Sequence, residues 1–320
     1  MLFSRSGQRN LITDVPGILV GNAEDHDVRT GVTVLTSPQP FVAGVHIMGG
    51  APGTAETDLL APDKLVDRVD ALVLSGGSAF GLAAADGVRT ALRKAGRGYQ
   101  VGGHSVPIVP TAILYDLNNG GQKNWPDATY QRLGQEALNN AALQFSLGNI
   151  GAGTGAQAGT RKGGLGSCSL LLEGGIHIGA LVAVNAVGSA ATPDGGHFWA
   201  APFEMQAEFG GKGLPSAVNG LAVPGIKTSV SAQENTTIAI IATDAKLDKA
   251  GAQRLSIAAH DGFARALVPA HTPFDGDLVF TAATGEHDGP ITAELMMQLC
   301  HAASVCMARA IARGVYEAAR

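Results

Sequence analysis

Short apolar segments separated by glycine, proline and aspartate dominate the first part of the chain. Four of these segments predict strands: "GILVGNA" (17–23), "TGVTVLTS" (30–37), "FVAGVHIMGG" (41–50) and "ALVLSGG" (71–77). Residues 78–96 then change to helical spacing, with Leu82, Ala85, Val88 and Leu92 on one face and Gly96 at the end. This part of the chain therefore predicts strands that lead into a helix.

The same alternation of apolar and polar segments continues to the end of the chain. Residues 116–130 are polar and predict a loop, and a second helix is expected over 130–143. Residues 163–188 predict an apolar hairpin that turns at 173–175, whereas 196–234 are polar and weakly periodic. Beyond Thr236 the pattern predicts four elements: a strand, a helix over 247–267, a strand over 276–285 and a last helix from about 291.

Strands that are apolar along almost their whole length need a cover on both faces. A helix layer outside and a second sheet inside provide such a cover. We therefore predict one domain over 1–320, built as a four-layer α/β/β/α sandwich. A chain of 320 residues with 45% hydrophobic content is long enough to bury such a core.

Composition narrows the classes of function. Only 15% of the residues are charged and the net charge is -5, so we expect no nucleic-acid partner. No apolar run near the amino terminus or elsewhere suggests a signal peptide or a membrane span, and the three cysteines are too few for a disulfide framework. These features predict a cytoplasmic protein with no membrane partner.

Three local patterns are weak indications of binding sites. The glycine-rich segment 151–159 precedes an apparent strand, which does not fit a dinucleotide-binding loop, and the nine histidines form no metal-binding pair. We therefore expect no cofactor and no metal. "SGGSAFGL" lacks the second glycine of a nucleophile elbow, but its backbone amides around Ser78 could cradle a substrate.

Thr236 begins an apolar run after a polar segment, in "ENTTIAIIATDAKL". An ordinary loop-to-strand junction explains this pattern. The alternative is that the chain cuts its own Asn235–Thr236 bond. The freed amine of Thr236, with a pKa of about 7.7–8.0, would then accept the proton of the hydroxyl, so that one residue acts as nucleophile and base.

Asp275 and Asp277 lie one residue apart before a predicted strand, and both side chains can point to the same side of the loop. An Asp-Gly turn accounts for this spacing as well as a catalytic pair does.

Eight segments in this order resemble the family of self-cleaving aminopeptidases, which includes L-aminopeptidase/D-amidase-esterases, β-peptidyl aminopeptidases and the endo-acting nylon-oligomer hydrolase. They are "ITDVPGILVGNA", "LSGGSAFGLAAADGV", "VPIVPTAILYDL", "GAGTGA", "KGGLGS", "ALVAVNAVG", "ENTTIAIIATDAKL" and "HTPFDGDLVF". They extend from near residue 12 to near 280, which is almost the whole chain. The resemblance implies an N-terminal-nucleophile hydrolase whose precursor splits into two chains that stay together.

The resemblance also implies a role for individual residues. The bond cut is Asn235–Thr236, which leaves a large chain 1–235 and a small chain 236–320, with Thr236 as the nucleophile. Asn185 helps hold the oxyanion, and Asp275 and Asp277 orient the amine of the nucleophile. Lys162 and Tyr115 line the active site. The family resemblance further implies a homotetramer of cleaved protomers.

The substrate remains open between two branches of the family. Aminopeptidase members tend to have Ser-Gly-Glu where this chain has Asp-Gly-Asp, and the latter with a threonine nucleophile is more similar to the nylon-oligomer branch. We expect a short amide or peptide that carries an ammonium group, because two carboxylates lie near Thr236. Acyl transfer on the same fold, or an inactive binding protein, are the alternatives.

Overall fold

The computed structural model describes residues 5–217, 225–227 and 235–320 of the chain. Its strands, in chain order, are β1 Leu19–Asp25, β2 Thr30–Ile47, β3 Thr54–Ala55, β4 Arg68–Ser75, β5 Tyr99–Val101, β6 His104–Val106, β7 Thr111–Ile113, β8 Gln157–Ala158, β9 Arg161–Lys162, β10 Gly164–Leu171, β11 His177–Val184, β12 Ile238–Ala245 and β13 Leu278–His287. The α-helices are α1 Ala84–Lys94, α2 Thr129–Asn139, α3 Lys249–Ala266 and α4 Ala293–Ala318.

Nine of these strands form one mixed sheet in the order β10-β11-β12-β13-β2-β4-β7-β3, and β1 pairs with β2 beside this path. The β12–β13 and β4–β7 pairs are parallel, and the other pairs are antiparallel. Strands β5 and β6 form one small hairpin, and β8 and β9 form another.

Strand β2 joins the two halves of the sheet. The sequence predicts two strands here, but the structure has one strand of 18 residues with a shift in register between Thr36 and Phe41. Pro38 and Pro40 lie at this shift and have no backbone N–H to donate to a neighbouring strand. The first part of β2 pairs with β1 and β4, and the last part pairs with β13.

Alternate residues of the strands face different apolar clusters. In β12, Ile238 and Ile240 belong to a central cluster, while Ile241 faces a second cluster that contains α3 and α4. In β4, Leu72 and Leu74 face the central cluster, and Val73 faces a third cluster that contains α1 and α2. The predicted four-layer arrangement is confirmed, and its two β layers are the halves of one folded sheet.

Helix α4 owes its apolar composition to the core of the protein. Among the described residues, α4 is the helix that is long and apolar enough to cross a membrane, a feature that the sequence analysis did not identify. Of the 18-residue window that meets this criterion, 67% is buried inside the protein. Leu299, Ala303 and Met307 are fully buried against α3 and the sheet. The burial of these side chains within one protomer therefore accounts for the apolar composition of α4.

Candidate active site

The Asn235–Thr236 bond lies in the interior, just before β12. Thr236 is 1% exposed and Asn235 is 6% exposed. The N–H of Thr236 donates to the backbone carbonyl of Asn185, over 2.9 Å, at the end of β11. Residues 228–234, which precede Asn235, lie outside the described part of the chain. The bond is thus held at its nitrogen by the neighbouring strand.

A loop before β13 holds the other side of this bond. The N–H of Asn235 donates to the carbonyl of Phe274 over 2.8 Å, and the carbonyl of Asn235 accepts from the N–H of Gly276 over 2.7 Å. A donor on a carbonyl oxygen stabilises the negative charge that develops when a nucleophile adds to the carbon. Gly276 therefore occupies the position that a self-cleavage reaction requires of an oxyanion donor.

Gly276 makes this contact because it has no side chain. A Cβ built on it would lie 2.4 Å from the carbonyl oxygen of Ala51 and 2.7 Å from Oγ1 of Thr236. Both distances are shorter than any van der Waals contact. The hydroxyl of Thr236 and the loop backbone approach each other more closely than any other residue at 276 would permit.

The two aspartates fix the loop on either side of Gly276. The carboxylate of Asp275 accepts from the N–H groups of Val187 and Thr272 and from the Thr272 hydroxyl, at 2.5–3.1 Å. Asp277 accepts from the N–H of Thr237 over 2.8 Å. Burial, reinforced by the charge of Asp277, raises the pKa of Asp275.

His271 completes the surroundings of Asp277. Its backbone N–H and its Nδ1 lie 3.2 and 2.9 Å from Oδ2 of Asp277, so the ring is oriented by the carboxylate. The ring of His260 packs against His271 with 4.9 Å between centroids. Burial lowers the pKa of His260 to about 3, so this ring is neutral at neutral pH. His271 is therefore a partner of a candidate site residue.

Asn185 connects Thr236 to Tyr115 and to a lysine. Its side-chain Nδ2 donates to the carbonyl of Tyr115 over 2.9 Å, and its Oδ1 accepts from the N–H of Gln157 over 3.0 Å. Nζ of Lys227 lies 3.1 Å from the same Oδ1 and 2.7 Å from Oδ1 of Asn235. Burial lowers the pKa of Lys227 to about 7, and the charge of Asp275 opposes this shift.

A polar cavity of about 390 Å³ opens beside these groups. Its lining is rich in amides and hydroxyls and consists of Tyr115, Asp116, Asn118, Asn119, Gly155, Gln157, Gly159, Thr160, Asn185, Ile226, Lys227 and Asn235. Burial raises the pKa of Asp116, which accepts hydrogen bonds from Thr30 and from the N–H of Gly77. The cavity is large enough for a small ligand.

Two further predicted site residues, Ser78 and Lys162, lie at the turn before α1 and on β9. Ser78 has a φ of 52° and its N–H donates to the carbonyl of Leu114, one residue before Tyr115. Lys162 is exposed on β9 and lines an adjacent cavity of about 380 Å³. The two cavities share Asn119, Gly155 and Gln157. The structure thus brings together Thr236, Asn235, Asn185, Tyr115, Asp275 and Asp277.

Two residues of this region were not identified from the sequence. Gly276 is visible there only as the middle of an Asp-Gly-Asp turn, and a contact made by a backbone N–H leaves no mark on residue type. Lys227 lies in a polar stretch without periodicity, where the sequence does not distinguish a buried lysine from a solvent-exposed one. Among the residues that the structure describes, no group of histidine, cysteine and acidic side chains could hold a metal ion.

The whole fold matches that of a known class of enzyme. A solved structure of the L-aminopeptidase D-Ala-esterase/amidase from Ochrobactrum anthropi, a variant of the N-terminal-nucleophile hydrolase fold, superposes with a TM-score of 0.70. The sequences are 22% identical, and the match covers 98% of this chain and 88% of that chain. The protein therefore has the N-terminal-nucleophile hydrolase fold.

The chain belongs to peptidase family S58, whose family model matches residues 10–320. It is 42% identical to an uncharacterized aminopeptidase of Mycobacterium bovis, over 97% of this chain and 94% of that protein. It is 30% identical to the 6-aminohexanoate-oligomer endohydrolase of a Kocuria species, over 90% of this chain and 78% of that protein. The protein is therefore a hydrolase of the family that contains aminopeptidases and 6-aminohexanoate-oligomer hydrolases.

Proposed function

We propose that this hydrolase cuts its own Asn235–Thr236 bond and then uses Thr236 as an N-terminal nucleophile on short amides or peptides. The observation that carries the proposal is the environment of this one peptide bond. Its carbonyl oxygen accepts from Gly276, its nitrogen donates to Asn185, and the hydroxyl of Thr236 lies against Gly276. An ordinary loop-to-strand junction does not need such an arrangement.

Self-cleavage begins with attack of the Thr236 hydroxyl on the carbonyl carbon of Asn235. The new C–O bond gives a tetrahedral oxyanion. This adduct then collapses: the C–N bond breaks, and the nitrogen takes the proton that the hydroxyl lost. This step yields an ester and a free α-amine. Water then hydrolyses the ester and releases the carboxylate of Asn235. Gly276 stabilises the oxyanion of the first step, because its N–H already lies 2.7 Å from that oxygen.

In the cleaved enzyme the free amine of Thr236 acts as the base. It accepts the hydroxyl proton as Oγ attacks the substrate carbonyl, and the resulting ammonium gives this proton to the leaving amine as the C–N bond breaks. Water then releases the acyl group from Thr236. Asn185 contributes to the oxyanion site, and Asp275 and Asp277 hold the loop of Gly276 and the N–H of Thr237 in register.

The substrate is a short amide with an ammonium group near the bond to be cut. The negative charge of the Asp275–Asp277 pair supports this class, and so do the names of the relatives, an aminopeptidase and a 6-aminohexanoate-oligomer endohydrolase. Tyr115 belongs to the cavity that would receive the substrate, and Lys162 belongs to the adjacent cavity. Ser78 donates its N–H to the carbonyl of Leu114, the residue before Tyr115. Assembly of cleaved protomers into a homotetramer stays part of this proposal.

The substrate class is tested by two amides offered side by side. L-alanine p-nitroanilide and a linear 6-aminohexanoate oligomer are incubated with wild type and with Thr236→Ala. We expect wild type alone to cleave at least one of them, and the faster substrate identifies the branch of the family. Release of p-nitroaniline only when an acceptor amine is added would indicate acyl transfer. No turnover by fully cleaved enzyme would contradict the proposed amidase activity.

A further inference from the structure

Self-cleavage of an N-terminal-nucleophile precursor meets a difficulty that later turnover does not. Before the cut, the nitrogen of Thr236 is an amide, and an amide nitrogen cannot serve as the base that the free amine later provides. The first reaction therefore depends more strongly on how the surrounding chain orients the scissile bond. A misplacement of about 1 Å costs on the order of 10²-fold in rate. Residues that hold Asn235 in the uncut chain are therefore candidates for a role in cleavage alone.

Lys227 holds the side chain of Asn235. Its Nζ lies 2.7 Å from Oδ1 of Asn235, which is the residue on the carbonyl side of the scissile bond. The backbone of Asn235 is fixed separately, by the carbonyl of Phe274 and the N–H of Gly276. With both its side chain and its backbone bonded, Asn235 has little freedom to rotate its carbonyl away from the hydroxyl of Thr236.

Lys227 also reaches the nitrogen side of the same bond. Its Nζ lies 3.1 Å from Oδ1 of Asn185, and the backbone carbonyl of Asn185 accepts from the N–H of Thr236. The backbone of Lys227 is held beside the segment that follows β11, because its backbone N–H donates to the carbonyl of Val187 over 3.2 Å. A single side chain thus links the two residues that control the two ends of the scissile bond.

The position of Lys227 is not one that stability alone would favour. Both of these hydrogen-bond acceptors are neutral amide oxygens, and removal from water lowers its pKa to about 7. A charge that is taken from water without a bonded carboxylate opposes folding. Perturbed groups of this kind cluster at functional sites.

We propose that Lys227 is a positioning residue for self-cleavage, which orients the Asn235 carbonyl by bonding the side chains of Asn235 and Asn185 together. The inference rests on the proposed self-cleavage and concerns the uncut chain. It predicts that loss of the amine slows processing without loss of stability, and that a small amine restores processing.

The test compares Lys227→Met with wild type and with Lys212→Met, which removes an exposed lysine from the same polar stretch. Purified uncut chains are incubated, and the fraction cut is followed by intact mass. We expect Lys227→Met to process about 10²-fold more slowly, while Lys212→Met matches wild type. The melting temperature of uncut Lys227→Met should equal or exceed that of uncut wild type, because a desolvated amine has been replaced by an apolar chain of similar length.

Lys227→Ala provides a second readout that a purely structural role would not give. Ethylamine added to this variant should restore cleavage in a saturable manner, whereas tetramethylammonium, which cannot donate a hydrogen bond, should not. Processing of Lys227→Met at the wild-type rate would overturn the inference. Joint loss of processing and stability with no rescue by ethylamine would also overturn it. A wild-type chain that never cuts itself would instead contradict the proposed function.

Discussion

At the scale of single residues, the candidate site depends on how closely backbone and side chain approach each other. The N–H of Gly276 reaches the carbonyl of Asn235, and its Cα faces the hydroxyl of Thr236. The carboxylates of Asp275 and Asp277 accept hydrogen bonds from chain donors, and these bonds hold the loop beside Thr236. The close approach of this loop to the Thr236 hydroxyl therefore depends on the absence of a side chain at residue 276.

Replacing Gly276 by alanine tests this dependence. The added methyl group would overlap the carbonyl oxygen of Ala51 and the Thr236 hydroxyl, so the loop has to move away from the scissile bond. We expect self-cleavage to be abolished and the uncut chain to lose about 1–3 kcal/mol of unfolding free energy. Gly196→Ala is the matched control, because its Cβ would meet no atom closer than 3.9 Å. Processing is monitored by gel electrophoresis. Cleavage of Gly276→Ala at the wild-type rate would count against the N–H of Gly276 as the oxyanion donor.

At the scale of elements, α4 is bound to the start of the chain and to the polar stretch after β11 by one buried arginine. Arg309 is fully buried and bonds to Glu208 over 2.6 and 3.0 Å, to the carbonyl of Ser169 over 3.1 Å and to Asn10 over 3.0 Å. Glu208 is itself nearly buried. Removal of Arg309 would take from the Glu208 carboxylate its two shortest charged hydrogen bonds and leave it in the interior with Asn10, at 2.6 Å, and Arg313, at 3.6 Å.

Arg309→Met should therefore destabilise the protein by about 3–5 kcal/mol. The effect is measured by urea unfolding in the Thr236→Ala background, which we expect to remain a single chain. Arg320→Met is the control, since its side chain is 67% exposed and should change stability by less than about 0.5 kcal/mol. The double variant with Glu208→Gln should regain part of the loss. A loss below about 1 kcal/mol would show that the ion pair does not hold α4 in place.

The elements themselves were largely predictable from the sequence. The hairpin around 173–175, the helix after residue 247 and the last helix follow from apolar periodicity, because each buries one face. The continuity of β2 was not predictable, because Pro38 and Pro40 indicate a break and only the pairing partners show that the strand resumes. Residues 78–83, which the sequence predicts as the start of a helix, form a 3₁₀-helix ahead of α1, and the chain enters it with positive φ at Gly77 and Ser78.

At the scale of the whole molecule, the site is assembled from segments that are far apart in sequence. Tyr115 follows β7, Asn185 follows β11, Thr236 precedes β12, and Gly276 precedes β13. A motif search could identify several of these residues. The hydrogen bonds made by backbone groups, and the position of Lys227, arise only when the sheet has folded. The family motifs could therefore suggest Thr236 and the two aspartates as candidates, but residue type could not predict the contacts at Gly276 and Lys227.

The most direct test of the account is the intact mass of purified wild-type protein beside Thr236→Ala. We expect wild type to give two species under denaturing conditions, residues 1–235 and residues 236–320, with threonine at the amino terminus of the smaller one. Thr236→Ala should give one uncut chain of 320 residues. A folded wild-type protein that stays whole after long incubation, or that is cut at any other bond, would contradict the assignment of Thr236 as an N-terminal nucleophile.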